Sequence, residues 1–399
     1  MCTIGLAQDQ LLAQKTKMPN SIQVTSRSSA NDIIRWQLNE DVELRISKSS
    51  GFEPGCEGLA LSALRAVAKN SIRLHVVCDF PEPQSELELS TTLLATPFGI
   101  SATRLAASMS FGGGGYASSL QFKALQGALY RKQQGMFGSG NYRAFICADP
   151  MFFVPPVFLA RMGDTEGFPP PSALRKALHE AMSEMGFSSV LESKTEAPLL
   201  SFIYELFQNS AEHGQSSEEG LGRSTRALIV QKIVVQGGDL EARHLSPEIR
   251  GYLSRVAEEQ KNRVGLGVVC ITIADQGVGI QGTLPISGEF ENHSPEETTE
   301  QRFIRAFKAG QSRKQSGEMQ RGLGLATAIK AAFDLNALVN IWSDNLYCSQ
   351  DFSTGEIRYP VLSIESVQTL PRHVSFGTTV SIFIPEFTNS PDQGQLLLA

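Results

Sequence analysis

Residues 268–280 read Val-Val-Cys-Ile-Thr-Ile-Ala-Asp-Gln-Gly-Val-Gly-Ile, an apolar strand that runs directly into a carboxylate and then into two glycines at alternate positions. So apolar a strand belongs in a core, and a charge at its end needs a reason. Asp275 at that end can accept a hydrogen bond from an exocyclic amine, while Gly277 and Gly279 let backbone approach a ligand closely. Turns use the same letters, so this pattern alone decides nothing.

Three further segments bear on it. Leu199–Gly214 repeats apolar residues at intervals of three and four, as a helix with one buried face does. Glu205 and Asn209 are four apart and stack on one side of that helix. Glu212 and His213 lie one turn further on, and Gly214 suits a C-cap. A carboxylate one turn from a carboxamide can hold a water and a hydrated Mg2+ side by side. Arg321-Gly322-Leu323-Gly324 opens the next helix, whose free N–H groups make an anion site, although glycines there also serve close packing. Phe376–Pro385 is a strand that begins with Gly377-Thr378.

In this order and spacing the four segments resemble the GHKL superfamily of ATPases, which joins gyrase B subunits, heat-shock chaperone ATPases, histidine kinases and mismatch-repair ATPases. Glu205-x-x-x-Asn209 looks like its N box, Asp275-x-Gly277-x-Gly279 and Gly322-Leu323-Gly324 like its glycine boxes, and Gly377-Thr378 like its last strand motif. The resemblance covers residues 195–387, about half the chain. It implies a C-terminal Bergerat fold, a two-layer α/β sandwich with a mixed sheet, with ATP bound beneath a lid. By position, Asp275 would accept from the adenine amino group with Thr378 supporting it through water. Gly277 and Gly279 would line the base, Asn209 would bind Mg2+, and Gly322, Leu323 and Gly324 would cradle phosphate. Glu205 would be the general base that orients water; many sensor kinases have Asn there. His213 belongs to the same motif, with a role that is open.

Between Ile280 and Gly322 lies a lid of about forty residues, polar and rich in Gly, Pro, Glu and Thr up to Glu300. Phe303–Lys308 looks helical. Arg313, Lys314 and Arg321 stand close enough to the glycine box to neutralise phosphate, and each serves equally well as solvated surface charge. Residues 215–264 and 347–375 are longer than sensor kinases need there, and Pro247–Lys261 reads as an extra helix.

The N-terminal half carries no interpretable motif. Residues 1–40 are polar and read as a flexible segment, and 41–165 as a small α/β domain. In that domain a strand at 42–47, a helix at Cys56–Lys69 and a strand at Ile72–Cys78 are followed by helices over Leu93–Ser108 and Ser119–Gln133. The run Gly112–Gly115 between those helices lacks a phosphate-loop frame and reads as loop. Prolines 150, 155, 156, 169, 170 and 171 mark a junction, after which Ser172–Met185 is a helix. Residues 172–387 form the nucleotide domain and 388–399 a tail.

Composition narrows the function classes. With 41% hydrophobic and 19% charged residues among 399, the chain is globular. A net charge of −6 argues against nucleic acid as partner. Apolar runs such as Met151–Ala160 and Gly265–Ala274 reach about half of the ~20 residues a membrane helix needs. The N-terminus has no secretory pattern, and the six cysteines are scattered without a CxxC pair, so a cytoplasmic protein with reduced thiols and no zinc is expected. The expectation is an ATP-binding protein that hydrolyses Mg-ATP slowly and uses lid closure to control a protein partner or a second copy of itself. A kinase using the same pocket, acting on serine in the manner of anti-sigma factors or on histidine, is the first rival, although His179 lacks the surround of a phosphoacceptor. A non-catalytic nucleotide sensor is the second; Glu205 and Asn209 argue against it.

Overall fold

The computed structural model of the chain describes residues 20–36, 41–70, 73–114, 136–148, 170–187, 193–213, 225–235, 245–259, 266–283, 297–308, 324–370 and 376–386. Strand β1 (Asn20–Val24) is followed by the short helix α1 (Ala30–Ile34), which Ser29 caps, and by β2 (Asp41–Ile46). Helix α2 (Cys56–Asn70) leads to β3 (Arg73–Cys78). Helices α3 (Glu86–Ser90) and α4 (Pro97–Leu105) lead to β4 (Ser108–Phe111). The four strands pair in parallel in chain order.

Two expectations are corrected here. Order begins ahead of Asp41, because Ile22 and Val24 alternate with exposed neighbours and bury against the parallel sheet. Leu93–Ser108 is not one helix. Thr96 caps and Pro97 starts α4 in the middle of that stretch, and Ala106 leaves it with extended backbone, so that Ser108 can enter β4. Ser119–Gln133, the proline-rich 149–169 and the tail lie outside the described residues.

The second sheet starts with β5 (Tyr142–Ala148), a strand from within the 41–165 stretch. Helices α5 (Pro171–Glu184) and α6 (Ser193–His213) precede β6 (Thr225–Val235). Helix α7 (Pro247–Glu259), the expected extra helix, precedes β7 (Leu266–Asp275). Then come α8 (Gly279–Thr283), α9 (Thr299–Ala306) and α10 (Gly324–Asp334). Strands β8 (Leu338–Asp344), β9 (Leu346–Asp351), β10 (Val367–Thr369) and β11 (Phe376–Pro385) complete it. The order is β10-β9-β8-β11-β7-β6-β5, and every described pairing is antiparallel. The mixed sheet expected from sequence is therefore corrected. Strands β7 and β8 run in the same direction, but β11 inserts antiparallel between them and removes the parallel pair.

This sheet is covered on both faces. Along β7, Val269, Ile271 and Ile273 enter a core with Leu178 of α5, Phe202 and Leu206 of α6, Phe303 of α9 and Ile329 of α10. The alternate residues Val268 and Cys270 face Ile249, Tyr252, Leu253 and Val256 of α7, whose Tyr252 hydroxyl donates to the Phe383 carbonyl at 2.9 Å. Two-sided burial explains why β7 reads as a near-continuous apolar run, interrupted only by the buried Thr272 before Asp275. It also corrects the two-layer expectation to three layers.

Helix α2 provides the rest of the outer layer. Leu59, Ala60, Ala63, Leu64 and Val67 fill the core of the parallel sheet, while Leu61 packs with Ala144, Ala227, Ile229 and Ala274 of the antiparallel one. Positions 58, 61, 62 and 65 follow helical spacing on this second face. Gly58 is needed there, since a Cβ would stand 2.5 Å from Thr272 Cγ2 and 3.0 Å from Thr379 Cγ2. Ser62 Oγ bonds Thr379 Oγ1 at 3.1 Å. One helix thus serves two cores. No described helix is long and apolar enough to cross a membrane.

Candidate functional site

Strand β7 delivers Asp275 to the end of the sheet, where it stands opposite Thr378 on β11 and Arg226 on β6. Its Oδ1 accepts the backbone N–H of Gly277 at 2.7 Å and of Thr378 at 3.3 Å. Among the described residues both of these bonds fall on Oδ1, which leaves Oδ2 as an acceptor. Burial pushes the carboxyl up from its ordinary 3.8 to about 6, against the pull of those two N–H groups and of the Arg226 and Arg65 charges. The ionised form of Asp275 is therefore held at a cost to the fold.

The glycines around it have steric reasons. A Cβ on Gly377 would lie 2.0 Å from the Asp275 carbonyl oxygen, at the irregularity where β11 shifts register against β8. Gly279 takes φ +79 and comes so close to β8 that a Cβ would meet the Asp344 nitrogen at 3.0 Å. Ile280 N–H then donates to Ser343 Oγ at 2.6 Å, tying α8 to the end of β8.

A second group forms where α6 meets the first turn of α10. A Cβ on Gly324 would stand 2.7 Å from Glu205 Oε2 and 3.4 Å from Asn209 Nδ2. Gly324, far from Glu205 and Asn209 in sequence, is their neighbour in space, and both polar side chains are partly exposed. Phe202, Ile203, Leu206 and Phe207 of α6 share one core with Val269, Ile271 and Ile273 of β7. The helix carrying Glu205 and Asn209 thus packs on the strand that ends in Asp275.

Arg313, Lys314, Arg321, Gly322 and Leu323 lie outside the described residues, as does the lid at 284–296 and 309–323. The rear of the lid is anchored: Phe303 and Phe307 are buried with ring centroids 5.2 Å apart, and Arg305 Nε donates to Glu297 Oε1 at 2.7 Å. His179 bonds Glu196 Oε1 at 2.8 Å on the surface of α5. A cleft of about 300 Å³ lined by Thr25, Asp32, Arg35 and Trp36 belongs to the parallel sheet and holds none of the sequence-predicted residues. The five described cysteines are buried with no disulfide among them, and no metal-binding cluster of His, Cys, Asp or Glu occurs among the described residues.

Two residues beside Asp275 escaped the sequence reading. Arg226 is fully buried in β6, and Gln276, between Asp275 and Gly277, is fully buried as well. A polar residue in a turn or strand reads as solvated until a tertiary neighbour covers it. The chain matches no family model and no curated protein sequence.

Proposed function

We propose that the chain is an ATP-binding protein of the GHKL kind that hydrolyses Mg-ATP and uses closure of residues 281–321 over the nucleotide to control a protein partner or second copy. The observation that carries this reading is Asp275, a buried carboxylate fixed at a strand end by two N–H donors on one oxygen, with the other oxygen left as acceptor. Such an acceptor suits the exocyclic amine of adenine. The meeting of Glu205, Asn209 and Gly324 adds the phosphate end. Carboxylate and amide oxygens are the hard donors Mg2+ takes, so Asn209 would hold the ion, which when bound neutralises phosphate charge. Glu205 would orient and deprotonate water. Gly277 and Gly279 would line the base, and Gly322, Leu323, Gly324, Arg313, Lys314 and Arg321 would surround the phosphates, with Thr378 supporting Asp275 through its backbone. A cytoplasmic location goes with this reading.

The test uses the full chain with γ-labelled ATP and Mg2+. Labelled free phosphate is expected. Labelled protein would replace hydrolysis by phosphotransfer, and binding with neither product would reduce the site to a sensor. Absence of ATP binding would remove the proposal.

A further inference from the structure

Gln276 sits between the two residues that define the adenine side of the pocket, yet its side chain points away from any ligand and into the protein. It is 0% exposed. Its Oε1 accepts the Thr225 N–H of β6 at 3.0 Å. Its Nε2 donates to the Leu61 carbonyl of α2 and to Ser101 Oγ of α4, each at 2.8 Å. Its own carbonyl accepts from the Arg65 guanidinium of α2. Three of these four partners belong to the parallel-sheet unit. On the other side, Asp275 Oδ1 holds the Gly277 N–H. The peptide units of 275–277 are therefore gripped from the antiparallel sheet and from α2 and α4 together.

We infer that Gln276 is a positioning residue through which the parallel-sheet unit sets the shape of the adenine pocket, so that movement of α2 and α4 regulates nucleotide affinity. The inference rests on the nucleotide reading of Asp275. A glutamine whose hydrogen-bonding groups are all directed at neighbouring elements transmits a shift in any of them to its own backbone, and that backbone connects Asp275 to Gly277. Coupling of this kind is reciprocal. Nucleotide at Asp275 tightens the seat at Leu61 and Ser101, and a partner that displaces α2 or α4 weakens nucleotide binding.

The experiment measures affinity of the full chain for Mg-ATP and Mg-GTP, together with amide hydrogen exchange over residues 57–65 and 97–105. Ser101→Ala lies on α4, outside the pocket, and removes one of the two acceptors of Nε2; Gln276→Ala removes all three side-chain bonds and leaves the Arg65 bond to the backbone carbonyl. Loss of the one bond in Ser101→Ala lowers ATP affinity about threefold, and loss of the three in Gln276→Ala about tenfold or more. The ATP-over-GTP preference should fall with it, because the base-reading side is what loosens; a residue that only stabilises the fold would lower the melting temperature and leave that ratio alone. In the parent, ATP should slow exchange in both segments, and in Ser101→Ala this protection should shrink. A folded Ser101→Ala protein with parental affinity, parental ratio and parental protection overturns the coupling. If the parent itself binds no ATP, the nucleotide reading fails first and the coupling falls with it.

Discussion

Asp275→Asn separates what Asp275 costs the fold from what it does for a ligand. A carboxyl moved by burial from 3.8 to about 6 is disfavoured in its ionised form by about 3 kcal/mol. Its folded pKa lies above its unfolded one, so its favourable contribution is complete below about pH 4 and is lost as pH rises through about 6. At pH 8 the ionised side chain destabilises the fold. Asparagine carries no charge at any pH, and its Oδ1 can still accept the N–H groups of Gly277 and Thr378. The nucleotide-free variant should therefore be more stable than the parent at pH 8, by up to about 3 kcal/mol, or roughly 4 °C in melting temperature for a protein of this size. Below pH 5 the gain should shrink toward zero.

Ligand binding should respond in the opposite sense. Where the carboxylate Oδ2 would accept from the adenine amine, asparagine can present an NH2 group, donor against donor. A mismatched buried polar contact costs about 1–3 kcal/mol, so ATP affinity should drop about 5- to 150-fold. The assay is thermal unfolding at pH 8 and pH 5 with and without Mg-ATP. At about 100 times the dissociation constant, ATP should stabilise the parent by about 2.7 kcal/mol and the variant by much less. A variant less stable than the parent at pH 8 would refute the burial argument. An undiminished ATP response would refute the adenine assignment.

Other substitutions divide the site further. Glu205→Ala should keep ATP affinity within a few-fold while phosphate release falls about 10²–10⁴-fold, the usual contribution of a positioned general base; joint loss of stability and binding would mean that Glu205 only supports the fold. Asn209→Ala should lower nucleotide affinity with Mg2+ present and change it little in EDTA, as a titration in both buffers would show. Gly377→Ala should lower stability by about 1–3 kcal/mol or more, since the new methyl meets the Asp275 carbonyl and backbone cannot yield as a side-chain tip does. Denaturant unfolding checks the last, and parental stability would discount the close approach.

How much of this was legible in the sequence depends on whether the signal was local. Strand β7 stood out because burial on both faces leaves no charged residue before Asp275, and the pair Glu205 and Asn209 stood out because the two polar groups sit four apart on a helix rich in apolar residues. What covers the second face of β7 was not legible. Leu61 belongs with Leu59 and Leu64 by composition but faces the other sheet, and Gly58 and Ser62 look unremarkable until Thr272 and Thr379 stand against them. The antiparallel course of the sheet was hidden for a similar reason. The insertion of β11 between β7 and β8 pairs it with β7 residues about a hundred positions away, for which a single sequence carries no register. Strand β1 was missed because its alternation spans only two buried residues, Ile22 and Val24.

The contrast between neighbours 275 and 276 gives a physical criterion for telling function from structure in this chain. Both are polar and both are buried, at 7% and 0% exposure. Gln276 has its side-chain oxygen and its amide nitrogen both engaged by protein partners, as a buried amide must if it is to avoid an unsatisfied-group penalty. Among the described residues Asp275 has one oxygen doubly engaged and the other still an acceptor, and its ionised form is held in the fold at a cost. Structure alone would favour an asparagine or a second donor at 275, since either would remove that cost. On the proposed reading, a costly carboxylate with one oxygen unbonded among the described residues, next to a fully used amide, is shaped for a ligand that brings its own donor, as the exocyclic amine of a nucleotide would.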